Sequence, residues 1–195
     1  MDLERAIRER RSIGAVKSDA IDQALVKKLL EAAVYAPNHH GTEPWRFYVL
    51  TGKGREILGR AYAKIASELM EDPTTEVNQI ALKKQFEKAF RAPVIIVVAA
   101  VSADSPKVDR REEHAAVHAA VQNMLLQAHA LGLGAIWRTG APTYHEDMKS
   151  TFGLAEVDDV VGFIYIGYPV NPLPAKAQPS YESKTVWMDG EGTAQ

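Results

Sequence analysis

Three short segments hold the side chains that could do chemistry. Arg10-Arg11-Ser12 sets two guanidiniums beside a hydroxyl. The stretch from Ala36 to Phe47 carries Pro37, Asn38, His39, His40, Glu43, Pro44, Trp45 and Arg46. Gly134 to Gly140 carries Trp137, Arg138 and Thr139. Arginine grips phosphate through a planar fork of donors, and serine adds a neutral donor. Tryptophan offers a flat apolar face. Taken together, the three segments suit a planar, anionic, phosphorylated ligand better than a plain core. Each also has a plainer account. Basic residues at a helix end meet the last carbonyls and the helix dipole. Strand alternation sends Trp137 and Arg138 to opposite faces, and a charge in so apolar a strand needs a partner, an anion or an edge position.

Other pairings are weaker. His39-His40 sits in a loop, and no Asp or Cys close by in sequence completes a ligand set around it. His114 and His118 share a helix face at i, i+4, as in zinc helices, but Glu113 precedes both instead of lying between them. They are expected in packing or at an interface, and no metal site is expected. Gly52-Lys53-Gly54 and Gly132-Leu133-Gly134 lack the phosphate-loop spacing and read as turns. No Ser-His-Asp order, paired carboxylates or aromatic-basic RNA motif stands out. The chain has no cysteine, which removes disulfides, thiolate catalysis and cysteine-ligated clusters. A net charge of −2 gives no bulk attraction to nucleic acid or anionic lipid.

The elements that must position these residues follow from periodicity and punctuation. At 195 residues, with 46% hydrophobic and 25% charged, the chain fits one domain over 1–195. Helices are expected from Asp2 to Arg10, from Ser18-Asp19 or Asp22 to about Ala36, from Arg55 to Met70, from Glu76 to Phe90, from Val108 to Leu131 and from Tyr144 to Phe152. Strands are expected at Trp45–Leu50, Pro93–Val101, Ala135–Thr139 and Val160–Tyr168, the second and last apolar enough to be buried on both faces. Pro93–Val101 and Ala135–Thr139 flank a helix, so they can pair in parallel. This reads as α+β with a mixed central sheet flanked by helices. The apolar run Ala115–Ala130 is broken by His118, Gln122, Asn123, Gln127 and His129, which suits a buried or interface helix and not a membrane span. Met1–Ser12 is charged and lacks a signal-peptide core, and a cytoplasmic location is expected. Residues 169–195 contain Pro169, Pro172, Pro174 and Pro179 and read as an extended arm that either frays or lies on another subunit.

In their order, Arg10-Arg11-Ser12, Ala36-Pro37 with Trp45 beyond, Phe90-Arg91-Ala92-Pro93-Val94 and Gly134-Ala135-Ile136-Trp137-Arg138-Thr139-Gly140 resemble the nitroreductase family of flavoproteins, in its compact bacterial branch of small NAD(P)H nitroreductases. The resemblance runs from about residue 2 to 172. It implies an intertwined homodimer with FMN at the subunit interface. It implies that Arg10, Arg11 and Ser12 hold FMN, with the phosphate as their target. Tyr35 and His39 would approach from one subunit, and Trp137, Arg138 and Thr139 would complete the site. A hydride from NADH or NADPH would pass through FMN to a nitroaromatic, quinone or enone. A flavin carrier or sensor without turnover is the alternative. Two departures stand out: Gly41 and Glu43 occupy positions where better-known branches carry Asn and Gln, and only Lys176 and Lys184 are candidates for a C-terminal phosphate contact.

Overall fold

In the computed structural model, residues 1–171 and 180–188 are described. The helices are α1 (Leu3–Glu9), α2 (Gln23–Val34), α3 (Arg55–Ser67), α4 (Glu76–Glu87), α5 (Arg110–Ala130) and α6 (Glu146–Thr151). The strands are β1 (Trp45–Thr51), β2 (Val94–Ala100), β3 (Gly134–Arg138) and β4 (Asp159–Gly167). Side chains start the helices. Asp2 accepts from Arg5 N at 2.8 Å, Asp22 from Ala24 N at 2.9 Å and Asp109 from Arg111 N at 2.8 Å, each satisfying an amide that the first helical turn leaves open.

The sheet order is β1-β2-β4-β3, and every pairing in it is antiparallel. This corrects the expected parallel pairing of the second and third strands. β2 and β3 run in the same direction, but β4 lies between them. β4 offers buried side chains to both faces along nearly its whole length and takes an interior place, whereas β3 is short and ends in Arg138. The parallel contact comes instead from an isolated bridge, Ser12 with Ala135.

Alternation along β2 and β4 splits the core in two. Ile96, Val98, Ile164 and Ile166 pack under α2 and α5 with Leu29, Val117, Val121 and Met124. Ile95, Val97, Phe163 and Tyr165 pack under α3 and α6 with Leu58, Tyr62, Ile65 and Met148. A bulge at Val98/Ala99 skips Val161 in the register with β4 and so re-phases which face its residues meet.

The segment after α1 is sewn into this frame. Ile13 N donates to Ala135 O at 3.0 Å, Lys17 N to Tyr168 O at 2.8 Å, and Val170 N to Ala15 O at 3.1 Å. Pro169, expected to open the arm, is therefore held against Val16. Pro172, Pro174, Lys176 and Pro179 lie outside the described residues. Lys184 sits in an exposed turn at Glu182–Lys184, and Val186, Trp187 and Met188 beyond it are exposed.

Candidate functional site

The neighbouring arginines at 10 and 11 do different work. Arg11 Nη1 donates to Arg8 O and to Arg10 O, both at 2.7 Å, and so serves the C-terminus of α1. Arg10 leaves the helix in an extended conformation. Its guanidinium is half-buried and makes no hydrogen bond or ion pair among the described residues. Burial, and then the charge of Arg11, push its pKa below the usual arginine value. Ser12 follows, exposed, on the edge of β3. Two glycines permit this close approach. A Cβ at Gly134 would stand 2.9 Å from Ile13 Cγ2, and one at Gly14 would stand 3.0 Å from Arg138 Nη2.

β3 then divides its side chains as alternation requires. Trp137 turns toward α5, its ring 5.5 Å from that of His118, and Nε1 donates to Val161 O at 3.4 Å. Gly162 makes room for the indole, since a Cβ there would overlap Trp137 Nε1. Arg138 turns to the other face, with its guanidinium 5.3 Å from the centre of the Tyr165 ring. Its Nε is buried and has no acceptor among the described residues.

Arg138 and Thr139 line a cleft of about 340 Å³ with Lys88, Arg91, Tyr62 and Tyr165. The Tyr62 and Tyr165 hydroxyls lie 3.3 Å apart, and burial pushes the pKa of both upward, so both stay neutral. No carboxylate lines the cleft, and Lys88, Arg91 and Arg138 make no ion pair among the described residues. Three cations without an acid form a place for an anion or an electron-rich ring. Sequence reasoning missed Lys88, Arg91 and the two tyrosines. The available signal was Lys88 and Arg91 at i, i+3 immediately before a fully apolar strand, a segment that was singled out without assigning its basic residues.

Tyr35 and His39 lie elsewhere in the same chain. Tyr35 caps α2, is 87% exposed, and borders a hollow of about 380 Å³ beside Leu3, Ala6 and Leu126. His39 Nδ1 meets Glu112 Oε2 at 2.7 Å and stacks on His40 at 3.9 Å. Glu112 is in the first turn of α5, whereas the charges of Arg10 and Arg11 act on His129 in its last turn. At 1.5 Å per residue, Glu112 and His129 are about 26 Å apart. One chain therefore gathers Ser12, Trp137, Arg138 and Thr139 along β3 with Arg10 just before them, and leaves His39 at the opposite end of α5 from Arg10, whereas Tyr35 lies beside α1 and the last turns of α5 with Gln127 and Ala130. The loop that carries His39 is also strained: His40 and Glu43 have φ of 59° and 48°, in the left-handed region.

His114 on α5 is used locally. His114 Nδ1 lies 2.8 Å from Arg110 O, and Nε2 lies 3.0 Å from Asp159 Oδ2. Its ring is 6.4 Å from that of His118. Two other groups come close enough to share a cation, His39–His40–Glu112 and Glu68–His145–Asp147. Each is completed by a residue far away in sequence.

The sequence profile of the nitroreductase family matches residues 7–168. The chain is 34% identical over 169 residues to YdjA of Escherichia coli (strain K12), which bears the name of an NAD(P)H nitroreductase, covering 87% of this chain and 89% of that one. A nitroreductase-like protein from Bacillus cereus has a similar structure, with a TM-score of 0.81 at 30% identity over 97% of both chains. A Desulfovibrio desulfuricans structure in complex with FMN gives a TM-score of 0.68 at 27% identity, covering 94% of this chain and 95% of that one. With its sheet, its N-terminal basic segment and its Trp-Arg-Thr strand end all falling inside the matched span, the chain belongs to the nitroreductase family.

Proposed function

We propose that this protein is an FMN-dependent oxidoreductase that moves a hydride from NADH or NADPH to a nitroaromatic, quinone or enone, and that it works as a cytoplasmic homodimer. The observation that carries the reading is the junction of the N-terminal segment with β3. It places Arg10 and Ser12, which have open donors, at the same sheet edge as Arg138 and the acid-free cleft.

The residues present fit FMN. A phosphate dianion needs charge-assisted donors, and Arg10 and Ser12 offer them. The ring system is flat and carries carbonyl oxygens. Trp137 gives apolar surface, and Arg138 and Thr139 give donors. The bound flavin would supply the redox chemistry, accepting a hydride and returning two electrons. For a nitroarene the balance is NAD(P)H, one proton and the nitro compound giving NAD(P)⁺, the nitroso compound and water. The chain's own part is to hold the phosphate, orient the ring and keep a positive field at the cleft. Tyr62 and Tyr165 remain protonated and hydrogen-bonded to each other, and neither is poised to lose a proton near neutral pH.

The two-subunit site is supported by the distance of His39 from Arg10 along α5, because a second copy can bring them together. The outward face of α5 presents Ala115, Ala119, Gln122, Leu126 and Ala130 as a stripe of mostly small residues, suited to close packing across a two-fold axis. No helix among the described residues is long and apolar enough to cross a membrane.

The test is direct. The purified protein should be yellow, release FMN and not FAD on denaturation, and lose its colour anaerobically with NADH or NADPH. A colourless protein that does not take up FMN would sink the reading. Bound FMN that neither donor reduces would favour the carrier or sensor.

A further inference from the structure

A second hollow adjoins the cationic cleft and has the opposite character. It measures about 360 Å³ and lies between α3 and the turn at Ala141–Tyr144. Ile65, Ala66 and Leu69 form one wall, Ala141 and Pro142 the other, and Gln85 and Lys88 close the end of α4. Its volume is near the lower end of the roughly 300–1,000 Å³ that small-molecule sites occupy. Tyr62, Lys88 and Pro142 line both spaces, so the two are neighbours.

The polar groups around this hollow separate into used and unused. His145 Nδ1 accepts from Asp147 N at 3.2 Å, so the neutral ring carries its proton on Nε2, which faces Glu68 Oε2 at 3.4 Å. The same tautomer argues against a cation at Glu68–His145–Asp147, because Nε2 has no lone pair to give. The Tyr62 hydroxyl is taken by Tyr165. Gln85 and Lys88 remain: neither side chain makes a hydrogen bond among the described residues. An apolar slot with two free donors and no carboxylate suits a flat, uncharged ring bearing an oxygen acceptor.

We propose that this slot between α3 and the 141–144 turn binds the aromatic body of the electron acceptor, and that Gln85 and Lys88 donate to its nitro or carbonyl oxygens. The proposal rests on the flavin reading of the adjoining cleft, since only then does a neighbouring aromatic have an electron source. It makes the slot a determinant of acceptor choice that favours neutral planar compounds.

The experiment uses nitrobenzene as the probe, titrated calorimetrically into oxidised protein with no reductant present. Ala141→Trp fills the slot from an exposed turn, Ala66→Trp fills it from α3, and Gln85→Leu removes one donor. The tryptophan variants should bind nitrobenzene about tenfold or more weakly, and their KM for it should rise in step. Gln85→Leu should show a smaller loss in the same direction. FMN content and reduction by NADPH should match the wild type. If Ala66→Trp does not fold, Ala141→Trp decides alone. Wild-type affinity for nitrobenzene in Ala141→Trp overturns the slot. A wild type without FMN would overturn the flavin reading and with it the acceptor role, while nitrobenzene binding that Ala141→Trp abolishes would still support the slot as a site for neutral planar compounds.

Discussion

Arg10 and Arg11 have the same chemistry and different fates. Arg11 is spent on the carbonyls that end α1, as basic residues at helix ends commonly are. Arg10 keeps its donors open in a half-buried place. Replacing Arg10 by Ala should weaken FMN binding by roughly tenfold or more, the scale of one charge-assisted hydrogen bond at about 1.5–3 kcal/mol. Lys53→Ala, in the exposed turn at Gly52–Gly54, should leave the affinity unchanged. Titration of the apoprotein by flavin fluorescence checks both, and equal affinities would reduce Arg10 to a helix-end charge. Gly162 invites a second substitution. Its Cβ would overlap the Trp137 indole, so Gly162→Ala should cost about 1–3 kcal/mol by overpacking and shift the emission of the displaced indole. Unchanged denaturant unfolding would refute the close fit. At this scale the sequence was informative where alternation applies, since Trp137 and Arg138 do part to opposite faces. It was silent where the chain folds back on itself. Glu112 pairs with His39 across 73 positions, and nothing near His39 in the sequence foretells it.

Secondary elements were largely legible because their stop signals are local. Pro37 and Gly132 end helices for reasons contained within a few residues, whereas α3 stops at Ser67, short of Asp72-Pro73. Strand order was not legible, because it depends on which strand can bury both faces, and that is a comparison among all four. β4 took the interior place next to β2 that the expected parallel neighbour would have had. Two predictions belong to elements. Gly59 on α3 lets α4 pack closely, and a Cβ there would stand 2.8 Å from Phe86 Cδ2 and 2.9 Å from Phe86 O. Gly59→Ala should therefore push α4 outward and lower stability by about 1–3 kcal/mol, despite the better helix propensity of alanine. Thermal unfolding that is unaltered or raised would contradict this. The N-terminus of α5 should be acid-sensitive. Hydrogen bonds from the Arg111 side chain and then its amide hold Asp109 down to about 2, below its ordinary value of 3.8. A depressed carboxylate contributes fully above its ordinary value and is lost as pH falls through the depressed one. Protection against amide exchange in the first turn of α5, taken relative to the intrinsic rate at each pH, should fall between about pH 4 and pH 2, and Asp109→Asn should flatten that response.

For the whole molecule, the proposed assembly ties FMN to the subunit contact. If ring and partner stabilise the same state, dilution should release FMN and separate the subunits over one concentration range. Light scattering and flavin fluorescence on one dilution series would follow both. A monomer that keeps full FMN occupancy would end the interface site and the roles given to Tyr35 and His39. The arm was readable only as a composition, because proline spacing fixes backbone stiffness and not a docking partner. The separation of Arg10 from His39 along α5 has a consequence for genetics. In the proposed two-fold dimer each site would take Arg10 from one chain and His39 from the other, so Arg10→Ala and His39→Ala would damage different contributors to the same site. Two such variants, each deficient in FMN binding alone, should complement when co-expressed at limiting FMN. A mixed dimer carries one site with both lesions and one with neither, so random pairing should return about a quarter of the sites to wild-type competence. A pair of lesions within one half-site, such as Arg10→Ala with Arg138→Ala, should give no rescue.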